Sequence, residues 1–211
     1  MTVRVLFLGE GPSDAGIAAH VERLAWSRGI EAVATSPDLD RLEKPPGHSV
    51  SAKLAAVAKM GGQYDVIVVH RDADGAGADN RYLEVRNAVL SSPVAQLPHV
   101  AVVPIRMTEA WLLLDEQLIR TVAGNPRGHV NLNLPTIHEA ERIRDPKNRL
   151  ERILVDASEL SGRRLQIFRR RFSEHRRQLL ERLDPDGSVQ RLASWSRFVE
   201  DMTKVFDEFG R

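Results

Sequence analysis

The chain has 211 residues, 42% of them hydrophobic and 28% charged, which is the composition of an ordinary globular protein with enough length to bury a core. A net charge of +1 gives no general attraction to nucleic acid or to an anionic membrane, so any such contact must come from a local patch. The absence of cysteine excludes disulfides, thiolate zinc sites and cysteine nucleophiles.

The N-terminal apolar run is too short for a signal segment, and no stretch approaches the roughly 18 apolar residues of a membrane span, so a cytoplasmic location is expected. Val3 to Leu8 is a β-branched-rich run ending in Gly-Glu-Gly-Pro, which predicts a buried strand and a turn. Ser13 or Asp14 then caps a helix running to about Arg28, with Ile17, Val21, Leu24 and Ala25 on one face. Ile30 to Thr35 reads as a second strand, Pro37 to Ser49 as a loop, and Ser51 to Met60 as a helix. Tyr64 to His70 is the clearest strand; Asn80 to Leu90 is helical, Val100 to Ile105 is a fourth strand, and Thr108 to Val122 reads as one further helix.

This alternation predicts an α/β core over residues 1–122, a parallel sheet covered by helices on both faces. The Gly/Pro-rich stretch 123–129 opens a linker over 123–137, and residues 138–211 read as a helical region packed on the core. The last helix carries a stripe of Leu192, Trp195, Phe198, Val199, Met202, Val205, Phe206 and Phe209. Docking on the chain's own core is the favoured fate of that stripe; the alternative is an exposed contact for a second copy, giving a homodimer, or for a partner ATPase.

Three acids fall where α/β enzymes place their chemistry. Glu10 follows the first strand, and Asp72 and Asp74 follow the third, both at carboxyl ends of strands in an open parallel sheet. In an extended segment residues i and i+2 point the same way, so Asp72 and Asp74 are expected to face one space, with Ala73 packed inward and Gly75 and Gly77 turning the chain away. If the first and third strands are neighbours, Glu10 joins them. Three such carboxylates repel one another unless protons or a cation neutralise them, and an oxygen-only donor set suits Mg2+ or Mn2+ rather than zinc. Taken singly, Asp72, Asp74 and Gly75 also read as turn formers and Glu10 as a solvated acid.

Leu-Phe-Leu-Gly-Glu10-Gly and Val-Ile-Val-Val-His-Arg-Asp72-Ala-Asp74-Gly-Ala-Gly77 resemble the signature of the Toprim domain, shared by topoisomerases, bacterial primases and nucleases of the OLD (overcoming lysogenisation defect) type. The likeness covers roughly the first 105 residues, the size of a single α/β module. Glu109-Ala-Trp111-Leu-Leu-Leu-Asp115, Asp145-Pro146-Lys147 and the terminal Ser-Trp-Ser-Arg-Phe-Val helix are similar to a prokaryotic Toprim-like family often associated with partner ATPases in presumed defence or repair systems. The resemblance implies a Rossmann-like core and metal-assisted phosphodiester cleavage or transfer, a nuclease activity. Asp72 and Asp74 would hold the cation, and Glu10 would act as general acid or base or as a further ligand. The pattern departs from better-known members in lacking an obvious basic residue for the transition state; Arg71, Arg106 and Lys147 are the candidates.

Other readings stay open beside this one. A Toprim-fold module without catalysis would serve as an interaction or regulatory subunit, and a metal-dependent phosphatase or phosphotransferase would use Asp72 as nucleophile. Glu109 either approaches the acidic crevice as an additional metal ligand or simply complements the dipole at the start of its helix. Asp145-Pro146-Lys147 reads as the start of a helix with proline at its first position. Arg163 to Arg177 holds seven arginines and one acid, Glu174. Arg163, Arg164, Arg170 and Arg171 are therefore candidates for nucleic-acid contact, against the alternative of a solvated face; Phe168 and Phe172 read as its apolar stripe. Gly9-Glu-Gly11 is no dinucleotide fingerprint, because its acids would face a pyrophosphate, and there is no P-loop. His20, His48, His99 and His129 are expected on the surface or in loops.

Overall fold

The computed structural model describes residues 2–210. Strands β1 (Val3–Leu8), β2 (Ala32–Thr35), β3 (Val66–His70) and β4 (His99–Val102) form a four-stranded parallel sheet in the order β2-β1-β3-β4. Helices α1 (Gly16–Trp26), α2 (Val50–Met60) and α3 (Ala78–Leu90) connect them. All five residues of β3 are buried, as expected for a central parallel strand covered on both faces.

Right-handed crossovers fix which helix covers which face. The path from β1 to β2 runs one way across the sheet and the path from β3 to β4 the other, so α1 and α3 lie on opposite sides. Leu6, Leu8, Ile67 and Val69 form one core with Leu54 and Val57 of α2 and Val85 and Val89 of α3. The alternate residues Val5, Phe7, Val66, Val68 and His70 point to the other side, where α1 buries Ile17, Val21 and Ala25. Ser49 caps α2 by accepting from the Ala52 N–H at 3.2 Å.

The remaining helices are α4 (Glu116–Val122), α5 (Ile137–Ala140), α6 (Pro146–Ser158), α7 (Gly162–Arg170), α8 (Phe172–Arg182) and α9 (Ala193–Phe209). The expected single helix over 108–122 is two pieces, a 3-10 segment Thr108–Leu113 and then α4. Asp115 makes the break: its carboxylate accepts from the Leu118 N–H at 2.9 Å and caps α4. The expected proline at the start of a helix is found in α6, where Asp145 caps Asn148 at 2.9 Å.

The chain divides into two compact units. One runs up to Val103 and includes the stretch from Arg197 onward; the other is Pro104–Ser196. This differs from the break expected at 123–129. The segment 108–122 belongs with the helices because Trp111 packs edge-on against Trp195 at 5.0 Å, and its indole N–H donates to Ser194 Oγ at 2.8 Å. The last part of α9 belongs with the sheet unit, where Arg28 reaches Thr203 at 2.8 Å and Asp207 at 3.2 Å, and Arg197 lies 3.6 Å over the Tyr82 ring. Phe198, Met202 and Phe206 are buried, so that stretch of the stripe is core. Among the described residues no helix is long and apolar enough to cross a membrane.

Candidate functional site

The register of β1 on β3 pairs Leu8 with Val69, which sets the residues that follow, Glu10 and Arg71, side by side at the carboxyl edge of the sheet. This is the point where strand order reverses, the usual place for a ligand in an open α/β sheet. Arg71 Nη1 lies 3.1 Å from Glu10 Oε1, and its Nε lies 3.3 Å from Glu84 Oε1. Arg81 holds the other oxygen of Glu84 at 2.7 Å and donates from Nε to the Asp72 carbonyl at 3.0 Å. After the hydrogen bond to Glu84, the charges of Glu10 and Asp74 also raise the Arg81 pKa, so both acids lie within its field.

Beneath this layer is a buried chain of polar groups. His70 Nε2 lies 3.2 Å from Asp72 Oδ1, and His70 Nδ1 lies 3.3 Å from Asp14 Oδ2. The same Asp14 oxygen accepts the backbone N–H groups of Glu10 and Gly11, each at 3.0 Å. Burial alone would lower the His70 pKa, but the two aspartates outweigh it and push the imidazole up to about 10. Gly9 makes room for this packing, since a Cβ there would meet Asp14 Cβ at 3.0 Å and a Phe7 ring carbon at 3.2 Å.

On the β2 side a cavity of about 220 Å3 opens next to Glu10, lined among others by Gly11, Pro12, Ser36, Leu39, Asp40 and Lys53. Lys53 Nζ donates to the Gly9 carbonyl at 2.6 Å and approaches the Glu10 carbonyl at 3.4 Å. Burial, and then the charge of Arg71, hold the Lys53 ammonium below the usual lysine range. Lys53 and Arg81 thus join Arg71, the basic residue of the second motif, at this edge.

The expected adjacency of the first and third strands is found, and Ala73 is fully buried as expected. The expected common direction of Asp72 and Asp74 is not found. Asp72 is buried against His70, whereas Asp74 adopts φ 43°, the left-handed region, and is exposed. The amides of Ala76 and Gly77 both bond back to the Ala73 carbonyl at 3.1 Å, so the chain is already turning at Asp74 and strand alternation has ended. Among the described residues no group of three His, Asp or Glu is gathered around one point. The donor type still fits a hard cation, with carboxylate oxygens of Glu10 and Asp72 at neighbouring strand ends and that of Asp74 on the turn beyond. Their charge as folded is met by Arg71, Arg81 and the His70 imidazolium.

Glu109, for which an approach to the crevice and a dipole role at its helix start were both open, lies in the helical unit, where it is buried and paired with Arg176 at 2.7 Å. Arg106 and Lys147 also belong to that unit, half-buried and exposed respectively. Arg163, Arg164, Arg170 and Arg171 are exposed there. His20, expected at the surface, is buried in α1.

Sequence reasoning missed Asp14, Lys53, His70, Arg81 and Glu84 as members of the site. His70 carried a usable signal, since it stands two residues before Asp72 in an extended run and so points its way. Arg81 and Glu84 carried another, the i,i+3 spacing of a helical ion pair. No family model, curated protein or solved structure matches this chain.

Proposed function

We propose that this protein is a Toprim-like, divalent-metal-dependent enzyme that cleaves phosphodiesters, a nuclease working at the shared edge of β1 and β3. The observation that carries the reading is the β1–β3 register, which sets Glu10 beside Arg71 and one residue from Asp72 at the topological switch point. Glu10 and Asp72, joined by Asp74 once its loop swings back over the edge, would hold Mg2+ or Mn2+, which would supply charge neutralisation for the phosphate and the leaving oxygen.

The chain's own residues account for the rest. Arg71, Arg81 and Lys53 surround the edge with positive charge and attract a phosphate, with Arg71 and Arg81 offering planar guanidinium forks. Glu10 is about one-third exposed and is the acid able to take or give a proton at the surface of the crevice. His70 fixes the orientation of Asp72 from below. An arriving phosphate would compete with Glu10 for Arg71 and so free the carboxylate. Action beside a partner ATPase in defence or repair belongs to the same reading.

A second reading, an interaction or regulatory module without catalysis, is favoured by one feature: Glu10 and Asp72 each already have a cationic partner. The phosphatase alternative is disfavoured, because Asp72 is buried and held by His70, a poor position for a nucleophile. The two surviving readings separate in a cleavage assay on single- and double-stranded DNA and RNA with Mg2+, Mn2+ or EDTA. Metal-dependent cleavage that is lost in Glu10→Gln and Asp72→Asn supports the enzyme. No cleavage of any substrate at millimolar metal supports the module.

A further inference from the structure

Helix α7 contributes nothing to the core: none of its nine residues is buried. Four of the nine are arginine and none is acidic. Among the described residues, Arg163, Arg164, Arg169 and Arg170 have no ion-pair partner, while Arg171, just past the helix, pairs with Glu174 at 2.7 Å. A surface helix usually keeps its place by burying a stripe and balances its charge with acids at i+3 or i+4. This one does neither fully. Its inner side is limited to half-buried Leu165 and Phe168, with Phe168 stacked on His175 at 4.2 Å between ring centres.

Helical spacing makes the outer side specific. Ile167 is 51% exposed, and the residues three and four positions before and after it are Arg164, Arg163, Arg170 and Arg171. One apolar side chain therefore shares a single face with four arginines, of which Arg171 is held by Glu174. Such a face is made for several phosphates at once, with the isoleucine at a sugar or base edge. A membrane-surface helix would instead need a broad apolar face, and this face offers one exposed apolar side chain.

We propose that the Arg163–Arg164–Ile167–Arg170–Arg171 face of α7 is a nucleic-acid docking surface that grips the phosphate backbone. The proposal takes its class of ligand from the phosphodiester reading, and binding by α7 is measurable whether or not the protein cleaves.

The test uses the full chain in EDTA, so that cleavage plays no part, with fluorescein-labelled single- and double-stranded oligonucleotides read by anisotropy across a salt series. Three variants are compared with the unaltered protein. The first carries Arg163→Gln, Arg164→Gln, Arg170→Gln and Arg171→Gln. The second removes the same four charges elsewhere, at Arg127, Arg142, Arg144 and Arg152, all exposed in the same unit. The third is Ile167→Glu alone, an exposed change that leaves folding intact even if the fourfold variant misfolds. The proposal expects the α7 variant to bind at least about tenfold more weakly and to lose about three to four from the slope of log affinity against log salt. Ile167→Glu should also weaken binding several-fold, and the charge-matched control should stay near the unaltered protein. Three results overturn the proposal: no oligonucleotide binding at low salt, equal losses in the α7 and control variants, or tighter α7-dependent binding to phosphatidylserine vesicles than to nucleic acid. Binding that depends on α7 in a protein that never cleaves would keep this surface and refute only the nuclease reading.

Discussion

His70 lies 3.2 Å from Asp72, wholly buried, with its other nitrogen 3.3 Å from Asp14. The imidazolium joins the end of β3 to the turn before α1, and both aspartates depend on it. Removing the Asp72 charge therefore leaves a buried cation with one partner fewer. Asp72→Asn is expected to destabilise the metal-free protein by about 2 to 3 kcal/mol, measured by urea unfolding in EDTA. Repulsion among unpaired acids would have given the opposite sign, with the asparagine variant neutral or more stable.

The same contact sets a pH dependence. The folded pKa of His70 is about 10 against an ordinary 6.5, so it is raised on folding. A raised pKa contributes stability that is fully present below about 6.5 and is lost as pH climbs through about 10. Unfolding free energy should fall across that window, and the fall should flatten in His70→Gln. An unaltered profile in that variant would show that another group titrates there.

Arg71 competes with any cation for Glu10. Arg71→Gln is expected to bind Mn2+ more tightly than the unaltered protein, by several-fold in calorimetric titration, because the carboxylate is released. Phosphodiester cleavage should fall at the same time, since the phosphate loses a guanidinium. Equal Mn2+ affinity in the two proteins would mean that Glu10 is no ligand.

Glu109 and Arg176 form a buried ion pair in the helical unit. Glu109→Ala should cost about 3 kcal/mol, because a buried guanidinium loses the carboxylate it holds at 2.7 Å. Its Mn2+ affinity should not change. A weakened metal site without loss of stability would return Glu109 to the list of ligands.

Truncation after Asp186 removes Leu192, Trp195, Phe198, Met202 and Phe206, all buried. Loss of this much core is expected to give an aggregated or unfolded product. A folded, monomeric truncated protein in size-exclusion chromatography would contradict the placement of α9.

The strands and the acids at their ends were legible because period-two burial and Gly-rich breaks are local signals. Glu10 and Asp72 could be placed at neighbouring strand ends from position alone. Asp74 could not, because strand alternation says nothing once the chain enters the left-handed region, and an Asp before Gly-Ala-Gly is free to do so. The pairings of Asp14 and Glu10 were hidden for another reason. His70 and Asp14 meet only when the turn after β1 folds over the end of β3, and Arg71 meets Glu10 only through strand register. The division into two units rests on contacts of the same kind. Glu109–Arg176 and Trp111–Ser194 are separated by 67 and 83 residues, and no local pattern announces them.

The proposed enzyme requires that the edge shared by β1 and β3 take a divalent cation. Crystals soaked in Mn2+ test it most directly by anomalous scattering. The expected result is a peak coordinated by Glu10 and Asp72, with Asp74 swung in from its turn and Arg71 turned away from Glu10. A map with no peak at that edge, and with the Arg71–Glu10 and His70–Asp72 pairs intact at saturating Mn2+, would contradict it.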